Sequence, residues 1–569
     1  MAIYTGSARR VLAVTCGLGL LATTVCATTP TGAAAAAPAI RASLSTSASL
    51  SANASLSTSA WGDLTADLTA LNVLGLNNPA ADPGSLYTIE NAIGARSVWR
   101  QQDAAGRQIT GRGVTVALLD SGTAAVPGLS AAGKLTYGPD LSIEGNGVLT
   151  DQDTYGHGTH LAGIIAANDG VTLTPANIAN LSPSTQLGVA PDARLLSMKL
   201  ATTDGSTDVS QVIAALNWVT EHQTAPDGSR IRVVNLAFGT DSVQPYQLDP
   251  LAAAAENAWR HGLVVVVSGG NAGPNAEHLD DPAMDPYVLA VGASDSNDLV
   301  GGWSLPSVAS FSSGGSDSRH VDLVAPGSSI VSLRDPGSYV DVNHPEGRVV
   351  GDASGRLFRG SGTSQAAAVV SGAVALLLQA YPNLTPDQVK AALVQSASLM
   401  LLTAPRYAGA GQLNVAGALS AAKRLATPCT NLLCKLTNPD VTQRFPVSTG
   451  QGSIEAARAG QDLVDADGVP LTGEVDVQGN PWNAQDWWAH ASTLTSWSGG
   501  RWLGVQWTGD GWLPSDGLLS ARWASARWAS ARWADAEWDS ARWASARWAS
   551  ARWASARWAS ARWADSGWD

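Results

Sequence analysis

The sequence predicts an α/β fold, a doubly wound parallel sheet with helices on both faces, followed by a Trp-rich repeat region whose structure the sequence leaves open. Three short β-branched runs, at 114–119, 231–238 and 263–267, are typical of strands that are buried on both faces. Between the first two runs, apolar residues from Val209 to Val219 recur at helical spacing. Because strands that alternate with helices are joined by crossovers, we expect the sheet to be parallel.

The clearest helix start in the chain is near residue 385. Thr385 is a suitable N-cap, Pro386 stands at the first helical position, and Gln388 completes a capping box. Leu384 and Val389 have the spacing of a hydrophobic staple. These signals predict a helix that begins at Pro386.

Length and composition indicate a globular protein rather than a disordered one. The chain has 569 residues, of which 45% are hydrophobic and 14% charged, enough for two or more domains and a large core. Its formal net charge of -13 argues against nucleic acid as a partner, since a phosphate-binding surface should be basic.

The N-terminal region has the features of an exported protein. Residues 1–39 form a predicted secretory signal, with Arg9 and Arg10 ahead of an apolar stretch and an Ala-rich segment for cleavage. Residues 40–86 are rich in Ser, Ala, Thr and Leu, which favours a flexible pro-segment or linker. We therefore expect a secreted or cell-surface protein. The apolar run at 366–381 is short for a membrane span and is better explained as a buried helix.

The α/β pattern ends near residue 424, and this defines the remaining segments. Residues 87–424 form the predicted α/β domain, 425–480 a linker or small accessory segment, and 481–569 the Trp-rich region. Once the signal is removed with its two cysteines, Cys429 and Cys434 remain in an oxidising compartment. A local disulfide between them is therefore expected.

Reactive side chains follow the predicted strands, where parallel α/β sheets collect their functional groups. Asp120 ends the first strand, Asn271 follows the third, and His157 and Ser364 lie in Gly-containing segments. A serine hydroxyl becomes a good nucleophile when a histidine takes its proton and an aspartate orients that histidine. The Asn271 amide and the Ser364 backbone N–H could stabilise the negative oxygen that then forms. Taken alone, Ser364 before an Ala/Val run would also suit a helix N-cap.

Eight segments, in the same order along the chain, resemble the signature segments of the subtilisin family of serine peptidases. The resemblance spans about residues 88–422 and implies a subtilisin-like fold and a serine endopeptidase that hydrolyses peptide bonds through an acyl-enzyme. Protein or peptide substrates are implied, and the chemistry requires no cofactor. The segments are VALLDSGT, HGTHLAG, GVAPDARLLSMKL, VVNLAFG, VVVVSGGNAG, VASFSSGG, VDLVAPG and GTSQAAAVVSGAVALL.

The same resemblance assigns roles to individual residues. It implies that Asp120 orients the base, that His157 is the general base and acid, and that Ser364 is the nucleophile. Asn271 would belong to the oxyanion hole, whereas His160 would be structural. Two segments would line the primary specificity pocket, whose small walls favour a medium or large apolar substrate side chain; their residues are Ala237, Phe238, Gly239, Gly269 and Gly270.

The chain departs from the family pattern around the nucleophile. Gln365 and Ala368 stand where the family usually has Met and Pro, and residues 40–86 do not resemble a compact inhibitory prodomain. The rival hypothesis is therefore a catalytically silent protease scaffold that acts as a cell-surface or cell-wall binding protein through its repeats. Asp151 and Asp153 could take part in a structural calcium site, but no calcium-loop motif is complete and no metal ligands are assigned.

Trp recurs every five residues from Trp523 to Trp568. On a helix these side chains would spiral around the axis, and on a strand they would alternate between faces. A pentapeptide β-helix, a disordered adhesive tail, or a rod ordered on binding remain as alternatives, with cell-wall polymer or carbohydrate as the partner. The same step is visible upstream at Trp482 and Trp487, and at Trp497, Trp502, Trp507 and Trp512.

Overall fold

The fold is taken from a computed structural model of the chain. The structure describes residues 78–145, 148–296, 306–427, 440–463 and 469–507, and the two dipeptides 527–528 and 532–533.

The core is a seven-stranded parallel sheet, which confirms the predicted α/β class. Its order is β2-β3-β1-β4-β6-β7-β8, so the winding reverses at β1 and places a crevice at the carboxyl ends of the central strands. The strands are β1 Thr115–Asp120, β2 Leu135–Tyr137, β3 Arg194–Lys199, β4 Ile231–Leu236, β6 Val264–Ser268, β7 Leu289–Ser294 and β8 Leu323–Pro326. Outside this sheet lie β5 Phe238–Gly239, β9 Ile330–Leu333, β10 Leu357–Ser361, β11 Trp497–Ser498, β12 Arg501–Trp502, β13 Val505–Gln506, β14 Arg527–Trp528 and β15 Arg532–Trp533.

Helices cover both faces of the sheet: α3 and α8 pack together against one face, and α5 and α6 pack together against the other. They are α1 Leu86–Ala92, α2 Ala95–Trp99, α3 His157–Ala166, α4 Pro175–Ile178, α5 Val209–Glu221, α6 Pro250–Arg260, α7 Tyr339–Asn343, α8 Thr363–Ala380, α9 Pro386–Ser396, α10 Pro405–Ala408, α11 Val415–Ala426, α12 Ile454–Arg458 and α13 Ala484–Ala491.

Two helices test particular sequence predictions. Within the described residues, α8 alone is long and apolar enough to cross a membrane, and it is wholly buried in the protein, as expected for the run at 366–381. Helix α9 begins at Pro386 with the predicted capping box. The Thr385 hydroxyl accepts the Gln388 N–H at 3.2 Å, and Gln388 Oε1 accepts the Thr385 N–H at 3.0 Å.

Residues 440–463 and 469–507, here called the C-terminal wrap, contact α5 and α6 on their outer side. The backbone N–H of Ser448 donates to Glu256 on α6 at 2.7 Å. Arg458 forms a fully buried ion pair with Asp208, the N-cap of α5, at 2.7 Å. Because a buried charge that loses its partner is costly, this pair couples the wrap to the α/β core.

Three tryptophans of the wrap donate hydrogen bonds to α5, and two of them share one acceptor. The indole N–H groups of Trp487 and Trp502 donate to Asn217 Oδ1 at 3.0 and 3.1 Å, and that of Trp497 donates to the Ala214 carbonyl at 2.9 Å. Tryptophans spaced five residues apart can contact the same surface here because they lie on different elements, first α13 and then the β11–β12 hairpin.

A buried carboxyl before β7 makes stability depend on pH. Asp285 is fully buried; its Oδ1 accepts the Tyr287 N–H at 2.8 Å, and its Oδ2 has no hydrogen-bond partner among the described residues. Burial first, and the charge of Glu256 second, raise the pKa of Asp285 to about 8. The positive charges of Arg319 and Lys390 oppose this shift.

We therefore expect Asp285→Asn to flatten the dependence of stability on pH. Between an unfolded pKa of about 4 and a folded pKa of about 8, the folded state holds a proton that the unfolded state loses. The free energy of unfolding should thus fall as the pH rises through this window, by about 1.4 kcal/mol per unit. Urea unfolding at pH 5 and pH 8, in a Ser364→Ala background that prevents self-digestion, measures the fall. An equal fall with Asn at this position would contradict the assignment.

Candidate active site

Asp120 and His157 meet at the carboxyl edge of the sheet. Asp120 is the last residue of β1, and His157 is the first residue of α3. The His157 Nδ1 lies 2.8 Å from Oδ1 and 3.0 Å from Oδ2 of Asp120, and both side chains are fully buried. Since an ionised carboxylate can only accept, the proton of a neutral His157 is on Nδ1 and Nε2 is the basic nitrogen. Burial raises the pKa of the Asp120 carboxyl, whereas the charge and hydrogen bond of His157 oppose the rise.

Ser121 and Asp153 join the Asp120 loop to the start of α3. The Ser121 hydroxyl donates to Asp153 Oδ1 at 2.8 Å and accepts the Gly158 N–H at 3.0 Å. Asp153 also accepts two backbone N–H groups at the N-terminus of α3, each at 2.7 Å. The sequence prediction considered Asp153 only for calcium. An acidic residue just ahead of a helix start is a capping signal, and this could have revealed its role in positioning His157.

Glycine at position 158 lets α3 approach the Asp120 loop closely. A Cβ at Gly158 would lie 2.0 Å from the carbonyl oxygen of Gly122 and 3.2 Å from Asp120 Oδ1. Any side chain would push the helix, and His157 with it, away from Asp120. The glycine between the two elements is therefore required by the contact itself.

Ser364 lies at the N-terminal end of the central helix α8 and is fully buried. The helix begins at Thr363 and its N-cap is Gly362, so Ser364 is the second helical residue and not the N-cap that a serine before an Ala/Val run suggests. Its backbone N–H belongs to the first turn, whose N–H groups lack helical acceptors and carry partial positive charge.

Asn271 follows β6 and contacts the same helix start. The Thr363 N–H donates to Asn271 Oδ1 at 2.8 Å. Because an N–H needs an oxygen acceptor, this bond fixes which end of the Asn271 amide faces Thr363. The NH₂ group of Asn271 is therefore directed away from Thr363. The structure thus brings Asn271 next to Ser364, as it brings His157 next to Asp120.

The predicted pocket residues follow two neighbouring strands of the sheet. Ala237, Phe238 and Gly239 come after β4, whereas Gly269 and Gly270 come after β6, and all five are buried. A Cβ at Gly270 would lie 2.4 Å from Asp280 Oδ1, and a Cβ at Gly239 would lie 2.7 Å from Asp280 Cβ. Asp280 was missed by the sequence prediction, since nothing in its local sequence marks it as a pocket residue.

His160 lies one helical turn after His157 and faces two strands. Its Nε2 lies 3.2 Å from the Phe358 carbonyl on β10 and 3.3 Å from the Ile330 carbonyl on β9. Burial lowers the pKa of His160 to about 3, so it stays neutral and donates to these carbonyls. It links α3 to β10, the strand that leads to Ser364.

The described residues do not supply a set of ligands for the predicted calcium site. Among the described residues, no group of three or more His, Cys, Asp or Glu side chains is placed to hold a metal ion. Asp153 holds the α3 N-terminus, and burial together with Asp140 raises the pKa of Asp151 to about 6. Structural calcium stays a prediction. Cys429 and Cys434, with residues 1–77, lie outside the described residues.

Gln365 gives a stability prediction beside the nucleophile. Its side chain is fully buried, and neither its Oε1 nor its Nε2 has a hydrogen-bond partner among the described residues. Gln365→Met keeps the volume and removes two unpaired polar atoms, so we expect the free energy of unfolding to rise by about 1–3 kcal/mol. Urea unfolding in the Ser364→Ala background measures the change, with Gln365→Ala as a cavity-forming control that should destabilise. A Met variant less stable than the parent would contradict this.

Comparisons with known proteins place the chain in a protein family. A family model described as the subtilase family matches residues 111–424. The serine protease AprX of Bacillus subtilis (strain 168) is 34% identical over 335 residues, which are 58% of this chain and 70% of AprX. Subtilisin DY of Bacillus licheniformis is 31% identical over 310 residues, 54% of this chain and 91% of that protein. A solved structure titled a cold adapted subtilisin-like serine proteinase is 26% identical, covering 57% of this chain and 98% of its own, with a TM-score of 0.41.

Proposed function

Since this chain belongs to the subtilase family and is a serine endopeptidase, we propose that Asp120, His157 and Ser364 are its catalytic triad. The observation that carries the proposal is the fully buried contact of His157 Nδ1 with the Asp120 carboxylate at 2.8 Å. This contact sets the tautomer in which Nε2 can take a proton.

The proposed reaction has two displacements. The Ser364 Oγ attacks the substrate carbonyl carbon while its proton passes to His157 Nε2, and the resulting tetrahedral intermediate carries its negative charge on the former carbonyl oxygen. His157 then gives the proton to the leaving amine as the C–N bond breaks, which leaves an acyl-enzyme. Water, activated by the same nitrogen, attacks the acyl carbon and releases the acid and free Ser364.

The proposed oxyanion hole has two donors. The Ser364 backbone N–H stands at the positive end of α8, and the Asn271 amide is oriented by its bond with Thr363. Donors that are fixed before the reaction stabilise the developing charge without reorganisation. With the triad and these two donors, the proposed reaction needs no cofactor.

Labelling with a fluorophosphonate probe tests this proposal. The processed full chain is treated with the probe, and the adduct is located by peptide mass spectrometry. We expect an adduct on Ser364 in the parent and none in His157→Ala, because the base activates the nucleophile. An absence of adduct on folded parent protein would support the rival hypothesis of a silent scaffold.

The substrates are proteins or peptides, and we propose that the enzyme meets them outside the cell. The predicted signal at residues 1–39 supports export. N-terminal sequencing of the protein recovered from culture medium tests this and should find a start beyond the signal. Binding of the repeat region to cell-wall polymer or carbohydrate stays a prediction.

A further inference from the structure

A carboxylate, that of Asp280, borders the predicted specificity pocket. The Asp280 side chain lies against the backbones of Gly239 and Gly270, one from each wall, so closely that a Cβ at either glycine would overlap it. The Asp280 N–H donates to the Gly269 carbonyl at 3.3 Å, which holds the residue at that wall. Its side chain therefore lies against both predicted pocket walls.

Among the residues that the structure describes, no Lys, Arg or His lies within ion-pair distance of Asp280. Asp241, a largely exposed neighbour, pairs instead with His278 at 3.4 Å. Asp281, the next residue along the chain, is buried and also acidic. The charge that Asp280 can carry is thus balanced by no protein cation, and its surroundings favour a positive group.

We propose that Asp280 makes the pocket select a basic side chain, Arg or Lys, on the acyl side of the bond that is cleaved. This inference rests on the proposed function and replaces the apolar preference expected from the sequence. A guanidinium or ammonium group in the pocket would form a charge-assisted hydrogen bond with the carboxylate, whereas an apolar side chain would leave it unpaired.

Four peptide anilides that differ only in the residue before the scissile bond, Arg, Lys, Leu or Phe, test the proposal on the full chain. We expect kcat/KM to be about 10- to 100-fold higher for Arg than for Leu, the size of one charge-assisted hydrogen bond. Asp280→Asn, which keeps the shape, should remove this preference. Asp241→Asn, the control, should keep the preference for Arg.

A pH profile adds a second readout. Burial first, and the charge of Asp241 second, raise the pKa of Asp280 to about 8. The ratio of kcat/KM for Arg to that for Leu should therefore rise with pH through this value, since the charged form of the free enzyme binds the cation. A parent that prefers Leu, or an Arg preference that survives Asp280→Asn, would overturn the proposal. A failure of the fluorophosphonate test would be recognised separately, because no substrate would then be cleaved.

An independent observation concerns the repeat tail, residues 520–569. Its dipeptide Arg527–Trp528 (β14) pairs antiparallel with Phe238–Gly239 (β5) at the pocket wall. Five residues later, Arg532–Trp533 (β15) pairs antiparallel with Gly360–Ser361 at the end of β10, three residues before Ser364. Two dipeptides of the tail thus pair with backbone at the predicted pocket wall and close to the nucleophile in sequence.

We infer that the repeat tail occupies the substrate cleft of its own chain and competes with substrates. Strand addition relies on main-chain hydrogen bonds, so every repeat unit of the same sequence could take the same place. The covalent link supplies an effective concentration of the order of 1 mM. The Arg-Trp pair recurs with its arginine at Arg522, Arg527, Arg532, Arg542, Arg547, Arg552, Arg557 and Arg562.

Two full-chain variants test this second inference. In one, the eight arginines of the repeats become Pro, which removes backbone N–H groups and disfavours strands; in the other they become Lys, which keeps the backbone. We expect the Pro variant to have a KM about 10-fold lower at similar kcat, because the tail no longer competes. The Lys variant should retain the parent KM. A Pro variant with the parent KM, while still labelled on Ser364, would overturn this inference and leave the proposed function intact.

Discussion

Ser364→Ala is expected to lower kcat by about 10⁶, the size of loss found when the nucleophile of subtilisin is removed. The variant keeps the Thr363–Asn271 bond and the helix N-terminus, because both involve only the backbone of α8 or other side chains. What it loses is the atom that forms the acyl-enzyme. A small rate above that of water should remain from substrate positioning and the oxyanion donors.

Hydrolysis of a peptide anilide, measured with enough enzyme to detect the residual rate, gives the ratio of kcat values. Ser371→Ala is the matched control: it lies two turns further along α8, is fully buried, and donates to Asn235 Oδ1 at 2.8 Å. We expect it to lower stability but to retain labelling and turnover. A Ser364→Ala protein with parental kcat would mean that another group attacks the substrate.

Asp120→Asn is expected to lower kcat by about 10⁴, as the equivalent change does in a trypsin-type triad. The Asn side chain fits the same space, but its NH₂ group cannot accept the His157 Nδ1–H, so the imidazole is driven toward the wrong tautomer. Its Nε2 then carries the proton and cannot take one from Ser364. The loss should appear in kcat with a smaller change in KM, because substrate contacts are retained.

Rates of fluorophosphonate labelling of Ser364 in the parent, Asp120→Asn and Asp153→Asn separate orientation of His157 from general disruption of the loop. Asp153 accepts N–H groups at the start of α3 but does not touch the imidazole. We expect labelling to slow most in Asp120→Asn. Equal rates in the parent and Asp120→Asn would remove Asp120 from the triad.

The sheet could be predicted from sequence because its strands are continuous apolar runs. The runs at 114–119 and 263–267 correspond to β1 and β6 within one residue at each end. The run at 231–238 forms two strands, β4 and β5, since the chain leaves the central sheet after Leu236 and β5 pairs with β14 instead. Apolar periodicity indicates burial but does not identify the partner that buries a residue.

The candidate site residues could be proposed from the sequence because each reactive side chain lies in a local motif. The hydrogen-bond network that positions His157 was harder to predict, because Ser121 and Asp153 belong to segments 32 residues apart. A role for Asp280 could not be predicted, because it depends on two glycines, Gly239 and Gly270, that the fold brings beside its side chain. The five-residue Trp step of the C-terminal wrap fits neither a helix nor a strand, so it does not indicate that Trp487, Trp497 and Trp502 pack against α5 at Asn217 and Ala214.

Asn217, shared by two indoles, also limits how short this protein can be made. A chain ended at residue 424, where the family match ends, would lack Trp487 and Trp502 and would leave the outer surface of α5 bare. It would also leave Asp208 buried without Arg458. We therefore expect a soluble catalyst to need more of the chain than homology recognises, and any shortened form should extend at least to residue 507.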